Sequence, residues 1–409
     1  MKIRKYQHKK DFENCFRIWN ECGWVGKDDK EAMELELKKL GGIVAEIDNQ
    51  VESLVVSTEG DIKYLNENLG LSVVTGVTTS LIARKKGIAS KLTAKKLADD
   101  ADKGMAVSGL TIFEQGFYNK LGFSSIGYHH YLKFTPESLN IRIKNKNYRR
   151  FSIDDYKKIH KSKTHRKRLH GSCNLPEVYT RAELKYKSDE ILILGFADDN
   201  EIKHHICLRG KGKMNKPLNV SWMAYKNYNE FVELLGILKS FEDQIKLISL
   251  REPPDIQFQE FLKKPIFHHK LTEEGKYENT IKAFSYYQFR ILDLEKCIEA
   301  IKIPEVNYSF NLLIEDPIEK YLEDVNSGWK GIGGKYKVHI GEKSFVEKGF
   351  DEDLETLETS VNGFTRWWIG AHKPEIIMLT DKFKANNNLI KKLDYTSKFI
   401  PEPAPDWGF

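Results

Sequence analysis

Leu71-Ser72-Val73-Val74-Thr75-Gly76-Val77-Thr78-Thr79-Ser80 runs directly into Leu81-Ile82-Ala83-Arg84-Lys85-Lys86-Gly87-Ile88-Ala89, and the reading of this stretch decides the fold. The first ten residues are apolar and β-branched, a strand signature. A basic glycine turn follows. Then Leu92, Leu97 and Ala101 recur at helical spacing up to Gly104, which ends the helix. Val107 to Ile112 reads as a second strand. It leads into Glu114-Gln115-Gly116-Phe117-Tyr118-Asn119-Lys120-Leu121-Gly122-Phe123.

The order strand, basic glycine turn, helix, strand has a chemical logic. Glycine at a helix mouth lets backbone approach a ligand, and the unpaired N–H groups at the positive helix end attract phosphate. Arg84, Lys85 and Lys86 add positive charge at the same place, suited to a pyrophosphate and a ribose phosphate. If the two strands diverge past the helix, the gap between them holds an extended pantetheine arm. Tyr118 then stands where its phenol can protonate a leaving thiolate.

Moving outward, Lys2 to Tyr6 reads as an edge strand, and Asp11 as the cap of a helix carrying Phe12, Cys15, Phe16, Ile18 and Trp19. Trp24 follows, then a second helix through Met33, Leu35 and Leu37. Asp48-Asn49 between two apolar runs is a hairpin signal. Thr58 to Gly70 reads as a polar excursion, and Tyr128 to Phe134 as the strand that closes the sheet. Past Pro136, a strand at Ile141 to Ile143, a hairpin around Asp198-Asp199-Asn200, a strand from Val220, a helix through Phe231 to Leu238 and a strand from Lys246 repeat the first series of elements. No basic glycine turn precedes that second helix. The strongly basic segment 157–170 reads as a solvated face. His204-His205 and His268-His269 are neighbours that point to opposite faces of a strand, so neither pair chelates a metal by itself. From Phe289 the texture changes again: a strand at Tyr308 to Ile314, a helix at Asp353 to Thr359 broken at Gly363, a helix at Thr365 to Ala371, and a proline-spaced tail ending Asp406-Trp407-Gly408-Phe409.

Composition narrows the classes. The 409 residues suggest two or three domains. A net charge of +6, from 65 basic and 59 acidic residues, gives no footing for nucleic-acid binding. The five cysteines are scattered, odd in number and never in Cys-x-x-Cys spacing, which argues against disulfides and a zinc site and fits a reducing cytoplasm. No signal peptide and no membrane-spanning run is expected.

The turn and the tyrosine segment together resemble the GNAT acetyltransferases, whose signature is Arg/Gln-x-x-Gly-x-Gly/Ala with a Tyr-x-x-x-Gly-Phe segment further on. Arg84, Gly87 and Ala89 match the first; Tyr118, Gly122 and Phe123 match the second. With Arg290-Ile291-Leu292-Asp293-Leu294 and the terminal Trp407-Gly408-Phe409, the whole chain resembles the enhanced-intracellular-survival (Eis-like) branch. The resemblance implies an α+β fold of two tandem GNAT-like domains, the second degenerate, followed by a sterol-carrier-protein-like α/β domain. The expected boundaries are 1–135, 136–285 and 286–409. It implies acetyl-CoA as co-substrate, no metal, and direct N-acetylation of a primary amine: an aminoglycoside, a polyamine or a lysine side chain. Tyr118 would be the general acid and the Phe409 α-carboxylate the general base. Val77, Thr78, Thr79, Arg84, Lys85, Lys86, Gly87, Ile88 and Ala89 would bind acetyl-CoA. Trp19, Trp24, Glu114 and Asp406 are the acceptor-site candidates. A homo-oligomer, hexamer or trimer, is implied as well. Phe113 departs from the small residue usual beside the tyrosine segment, which predicts a narrower pocket. The contrasting reading is a non-catalytic module that binds lipid or protein through its last domain.

Overall fold

The structure is a computed structural model and describes residues 1–111, 114–142, 147–210, 217–264, 280–323 and 327–408. Phe113, Ile143, His268-His269 and Phe409 lie outside the described residues.

The chain begins with β1 (Lys2–Lys5), α1 (His8–Glu21), α2 (Lys30–Leu37), β2 (Gly41–Ile47), β3 (Gln50–Tyr64), β4 (Glu67–Thr79), α3 (Ile88–Asp102), β5 (Val107–Thr111), α4 (Gln115–Asn119) and β6 (Ser124–Ser125). Asp48 and Asn49 both take positive φ, 49° and 63°, at the β2–β3 turn, as the hairpin signal requires. Two local expectations fail here. The polar excursion is instead the end of a long hairpin, since Thr58 to Tyr64 pairs with Glu67 to Val73. Asp11 is not the helix cap: α1 starts at His8, and the Asp11 carboxylate accepts from Gln7 N (2.7 Å) and pairs with the Arg4 guanidinium.

The second run comprises β7 (His129–Phe134), β8 (Arg149–Phe151), α5 (Tyr156–Thr164), β9 (Cys173–Asn174), α6 (Glu177–Lys185), β10 (Ile191–Asp198), β11 (Glu201–Arg209), β12 (Leu218–Ala224), α7 (Tyr228–Lys239), β13 (Ile248–Arg251) and β14 (Thr280–Phe284). Next come β15 (Tyr287–Ile291), α8 (Leu294–Glu299), β16 (Tyr308–Glu315), β17 (Gly334–Ile340), β18 (Phe345–Lys348), β19 (Thr356–Ser360), α9 (Val361–Trp368), α10 (Pro374–Thr380), β20 (Phe383–Lys384) and α11 (Asn387–Ser397). The helix expected at Asp353 to Thr359 is in part the strand β19, paired parallel to β16, and Gly363 lies inside α9 rather than breaking it. Central pairing outweighs the acidic, helix-favouring composition of that segment.

Three sheets result. The first runs β1-β2-β3-β4-β5-β15-β6, with β9 on β3; the second runs β14-β7-β13-β12-β11-β10-β8; the third runs β18-β17-β16-β19-β20. The first two share one plan and exchange a strand. β7, expected to close the first sheet, pairs with β13 and β14 in the second, while β15 comes back to pair with β5 and β6 in the first. Ile141 precedes the observed edge strand β8, which starts only at Arg149.

The exchanged strand carries the main fastener. Arg290 is completely buried and donates to Asp316 Oδ2 at 2.6 Å, to the Leu121 carbonyl and to the Ile291 carbonyl. Asp316, also buried, accepts from Ile318 N and Ile332 N. One ion pair thus joins the first sheet, the turn after Tyr118 and the start of the third unit. Asn362 on α9 adds to the joint by donating to the Phe123 and Asn119 carbonyls at 2.7 and 3.2 Å. Removing one partner of a buried pair leaves an uncompensated charge. Asp316→Ala is therefore expected to lower stability by about 3–5 kcal/mol, read as a shift of the urea midpoint.

Candidate active site

β4 and β5 are paired parallel only from Leu71↔Val107 to Val73↔Gly109. β4 then continues to Thr79 without a partner on that side among the described residues. The divergence has a local cause. Gly76 and Val77 together face Val55, a bulge that bends β4. Gly76 has φ +58°, and a Cβ there would lie 2.7 Å from the Trp19 ring and 2.9 Å from Val56 Cγ2. Only glycine fits both the conformation and the space. Trp19, 5% exposed, donates from its indole N–H to Thr78 Oγ1 at 3.0 Å, and so holds the bulge from behind. Ser53 Oγ bonds the Thr78 carbonyl (2.9 Å) and Thr79 Oγ1 (2.8 Å), fixing the end of the strand.

At the open end of this gap α3 begins. Its first residue follows Gly87, at φ +74°, with no side chain capping the helix start. The first-turn N–H groups of α3 are therefore left for another acceptor. Arg84, Lys85 and Lys86 are exposed beside them, and no carboxylate pairs with these three among the described residues. Ile88, Leu92 and Leu97 bury the opposite face of α3 with Val55, Val74 and Leu110. A buried pair that the sequence pattern does not reveal, Lys96 with Asp100, pins the helix to β4 through Ser72 Oγ, 2.7 Å from Asp100.

The second sheet makes the contrast clear. β12 and β13 are also parallel, connected through α7, and paired only at Leu218↔Ile248 and Asn219↔Ser249. At the start of α7, by contrast, Asn227 Oδ1 accepts from Glu230 N (3.0 Å), and the Glu230 carboxylate, which accepts from Lys226 N (2.6 Å), puts negative charge at the helix start.

Tyr118, on α4, is 8% exposed and packs with Phe117, Phe123 and Leu121. Burial first, and the Glu114 charge second, push its phenol up to about 12, so it is fully protonated at neutral pH. Glu114 is committed to the helix start, accepting from Phe117 N (2.7 Å) and Gly116 N (3.2 Å). Trp24 is 40% exposed, its ring 5.8 Å from that of Trp19. Of the two tryptophans, only Trp24 presents a face to solvent.

The C-terminal tail is docked. Ala404 N donates to the His170 carbonyl (2.7 Å), against Gly171, where a Cβ would strike Ala404 N at 2.7 Å. Asp406, read from sequence as an acceptor-site candidate, instead binds Arg166 through both oxygens (2.6 and 2.7 Å) and accepts from Cys173 N (3.2 Å). Tyr287 of β15 donates to the Trp407 carbonyl at 3.0 Å, and Tyr287 is opposite Thr111, the last described residue of β5. The end of the tail is thus tied to β15, the neighbour of β5 on the side away from β4. The basic segment 157–170 is also not wholly a solvated face, because Lys163 and Arg166 are buried against Trp407 and Asp406. The acid partner of Arg166 is 240 residues away, which local charge counting does not reach, and that of Lys163 is Glu183 on α6.

His204 and His205 lie on β11; His205 Nδ1 is 3.0 Å from Ser162 Oγ and its Nε2 accepts from the Trp222 indole. Among the described residues no group of three metal-ligating side chains occurs, and no helix is long and apolar enough to cross a membrane.

Residues 2–126 match the family model described as acetyltransferase (GNAT) domain. Among curated proteins none matches. Solved structures align over the full chain at low identity. One is a conserved protein of unknown function from Enterococcus faecalis V583, titled a probable N-acyltransferase: TM-score 0.81, 16% identity, covering 100% of this chain and 99% of that one. Another is a GCN5-related N-acetyltransferase from Anabaena variabilis ATCC 29413, at TM-score 0.79 and 15% identity, with both chains covered 100%. A third is Eis1 from Mycobacterium abscessus, at TM-score 0.76 and 14% identity, again with both chains covered 100%. Residues 2–126 are therefore a GNAT acetyltransferase domain, and acetyl transfer is the class of chemistry that domain carries. Over its whole length the chain has an Eis-like fold.

Burial alone would raise the Asp406 carboxyl, but Arg166 more than offsets this and holds it below its ordinary value. A depressed folded pKa contributes stability above the unfolded value, about 3.9, that is lost as pH falls through the folded one. Lowering the pH from about 5 toward 2 is expected to release the tail, read as a Trp407 emission shift missing in Trp407→Phe.

Proposed function

We propose that this protein is an acetyl-CoA-dependent N-acetyltransferase that passes acetyl directly to a primary amine. The observation that carries the reading is the β4–β5 gap with the side-chain-free start of α3 at its end, and Tyr118 in the same buried cluster as Val74, Ile88 and Leu110. In this reading the pyrophosphate lies on the N–H groups after Gly87, with Arg84, Lys85 and Lys86 around it. The pantetheine arm fills the gap beside Val77, Thr78 and Thr79, whose backbone polarises the thioester carbonyl.

The acceptor arrives as an ammonium and first loses a proton, a task we assign to the α-carboxylate of Phe409. Phe409 follows two residues after Trp407, whose carbonyl is held at Tyr287 beside β5. The neutral nitrogen attacks the carbonyl carbon; the tetrahedral intermediate collapses, the C–S bond breaks and Tyr118 protonates the departing sulfur. A phenol at about 12 keeps its proton until a thiolate is formed. Trp24 and the charged residues near it are the proposed acceptor contacts. An aminoglycoside, a polyamine and a lysine side chain all satisfy this chemistry.

We further read the chain as two GNAT-like units, 1–135 and 136–285, the first giving β7 to the second sheet, followed by a sterol-carrier-like unit, 286–409, whose first strand β15 joins the first sheet, in a homo-oligomer. The test is thiol release from acetyl-CoA with polyamines, aminoglycosides and lysine peptides. Tyr118→Phe is expected to lower turnover about ten- to a thousand-fold with acetyl-CoA affinity nearly unchanged. Wild-type turnover in that variant would remove Tyr118 from the mechanism. Deleting Phe409 alone is expected to abolish turnover with acetyl-CoA binding retained; full activity would move the base into the first unit.

A further inference from the structure

In the second sheet the gap equivalent to the cofactor gap is neither closed nor open. β12 and β13 separate after Asn219↔Ser249, and the C-terminal tail packs against the residues that follow on both strands. A cavity of about 70 Å³ remains there, lined by Trp222 and Tyr225 on the β12 side, Arg251 and Pro253 on the β13 side, and Ala404 and Asp406 of the tail. Contacts from both sides grip the segment. Arg251 donates to the Asp406 carbonyl at 2.5 Å. Arg166 takes both Asp406 oxygens. The Lys163 ammonium is sandwiched between the Trp222 and Trp407 rings, 4.1 and 3.7 Å from their centroids. Trp407 is 1% exposed.

We propose that the β12–β13 gap is a peptide-binding cleft whose ligand is the chain's own C-terminal segment, recognised by its Asp-Trp pair and by the spacing of its prolines. The same architectural opening thus serves two extended ligands. In the first sheet the uncapped α3 suits a phosphate-bearing arm. In the second the Asn227 cap and the Glu230 carboxylate disfavour a phosphate, while buried Arg166 and half-buried Arg251 suit an acidic segment and Lys163, paired with Glu183, presents its ammonium to an aromatic ring. Pro401, Pro403 and Pro405 keep the segment extended, which limits the entropy lost on docking. Arg166 and Lys163 are positioning residues: they act on the terminus, not on the reacting atoms. The catalytic consequence of this cleft rests on the tail-borne base proposed above; the binding itself does not.

The test uses full-length protein and a labelled heptapeptide, Pro403 to Phe409. The double variant Asp406→Asn/Trp407→Ala keeps its tail but loses the anchors. It is expected to bind the heptapeptide at least about tenfold more tightly than wild type, whose cleft is filled. Adding Arg166→Ala to that variant is expected to weaken binding by about tenfold again. Equal binding by wild type and variant, or none by either, overturns the proposal. A second measurement needs no variant: carboxypeptidase should release Trp407 from the native chain at least about tenfold more slowly than from the free heptapeptide. Equal rates overturn it as well. If the peptide binds the double variant without restoring thiol release, the cleft stands and the tail-borne base falls.

Discussion

Arg290 and Asp316 are both withdrawn from water, so each depends on the other and on a fixed set of backbone partners. That dependence organises the molecule. Arg290 comes from the strand that the first sheet borrows, Asp316 from the end of β16, and the Leu121 carbonyl from the turn that carries Tyr118. Gly122 in that turn has φ +85°, and a Cβ there would lie 2.7 Å from the Arg290 guanidinium. The glycine of the Tyr-x-x-x-Gly-Phe segment is therefore required by the clamp as well as by the turn. Tyr118 is placed by groups more than 160 residues downstream, and the third unit acts as its brace.

The first two sheets show how one plan can lead to different chemistry. Both have four antiparallel strands, a crossover helix and a parallel strand that soon diverges. What separates them is small and local. Gly87 offers no side chain to the start of α3, while at α7 Asn227 caps Glu230 N and the Glu230 carboxylate sits at the helix start. An uncapped start beside three cations in one place, and a capped start carrying a carboxylate in the other, decide which gap suits a phosphate.

Much of this was legible in the sequence, and what was legible was local. Strand β4, the glycine turn, α3 and β5 follow from periodicity and punctuation within forty residues. The Asp48-Asn49 and Asp198-Asp199-Asn200 hairpins follow from turn chemistry. Pairing partners were not legible: the alternation in Tyr128 to Phe134 is the same whichever sheet the strand joins. Nor could a charge count tell that Lys163 and Arg166 are buried, because the partner of Arg166 and the ring over Lys163 lie in a tail read separately. Asp406 looked like a free carboxylate for the same reason. At the site itself, Tyr118 and the Arg84 to Ala89 turn could be named from motif, but the Gly76 bulge that opens the gap could not. Its cause is a contact with Trp19, more than fifty positions earlier.

The strand exchange also bears on how the chain is made. β5 leaves the ribosome long before its neighbour β15, with on the order of 180 residues of synthesis between them, or roughly ten to thirty-five seconds at usual elongation rates. During that interval the first sheet exposes the β5 edge, which is ready to pair with any extended segment. β7, already synthesised and nearby, is the obvious wrong partner. The nascent chain therefore has a period in which its most local pairing is not its native one, and correct assembly depends on β7 remaining available for β13.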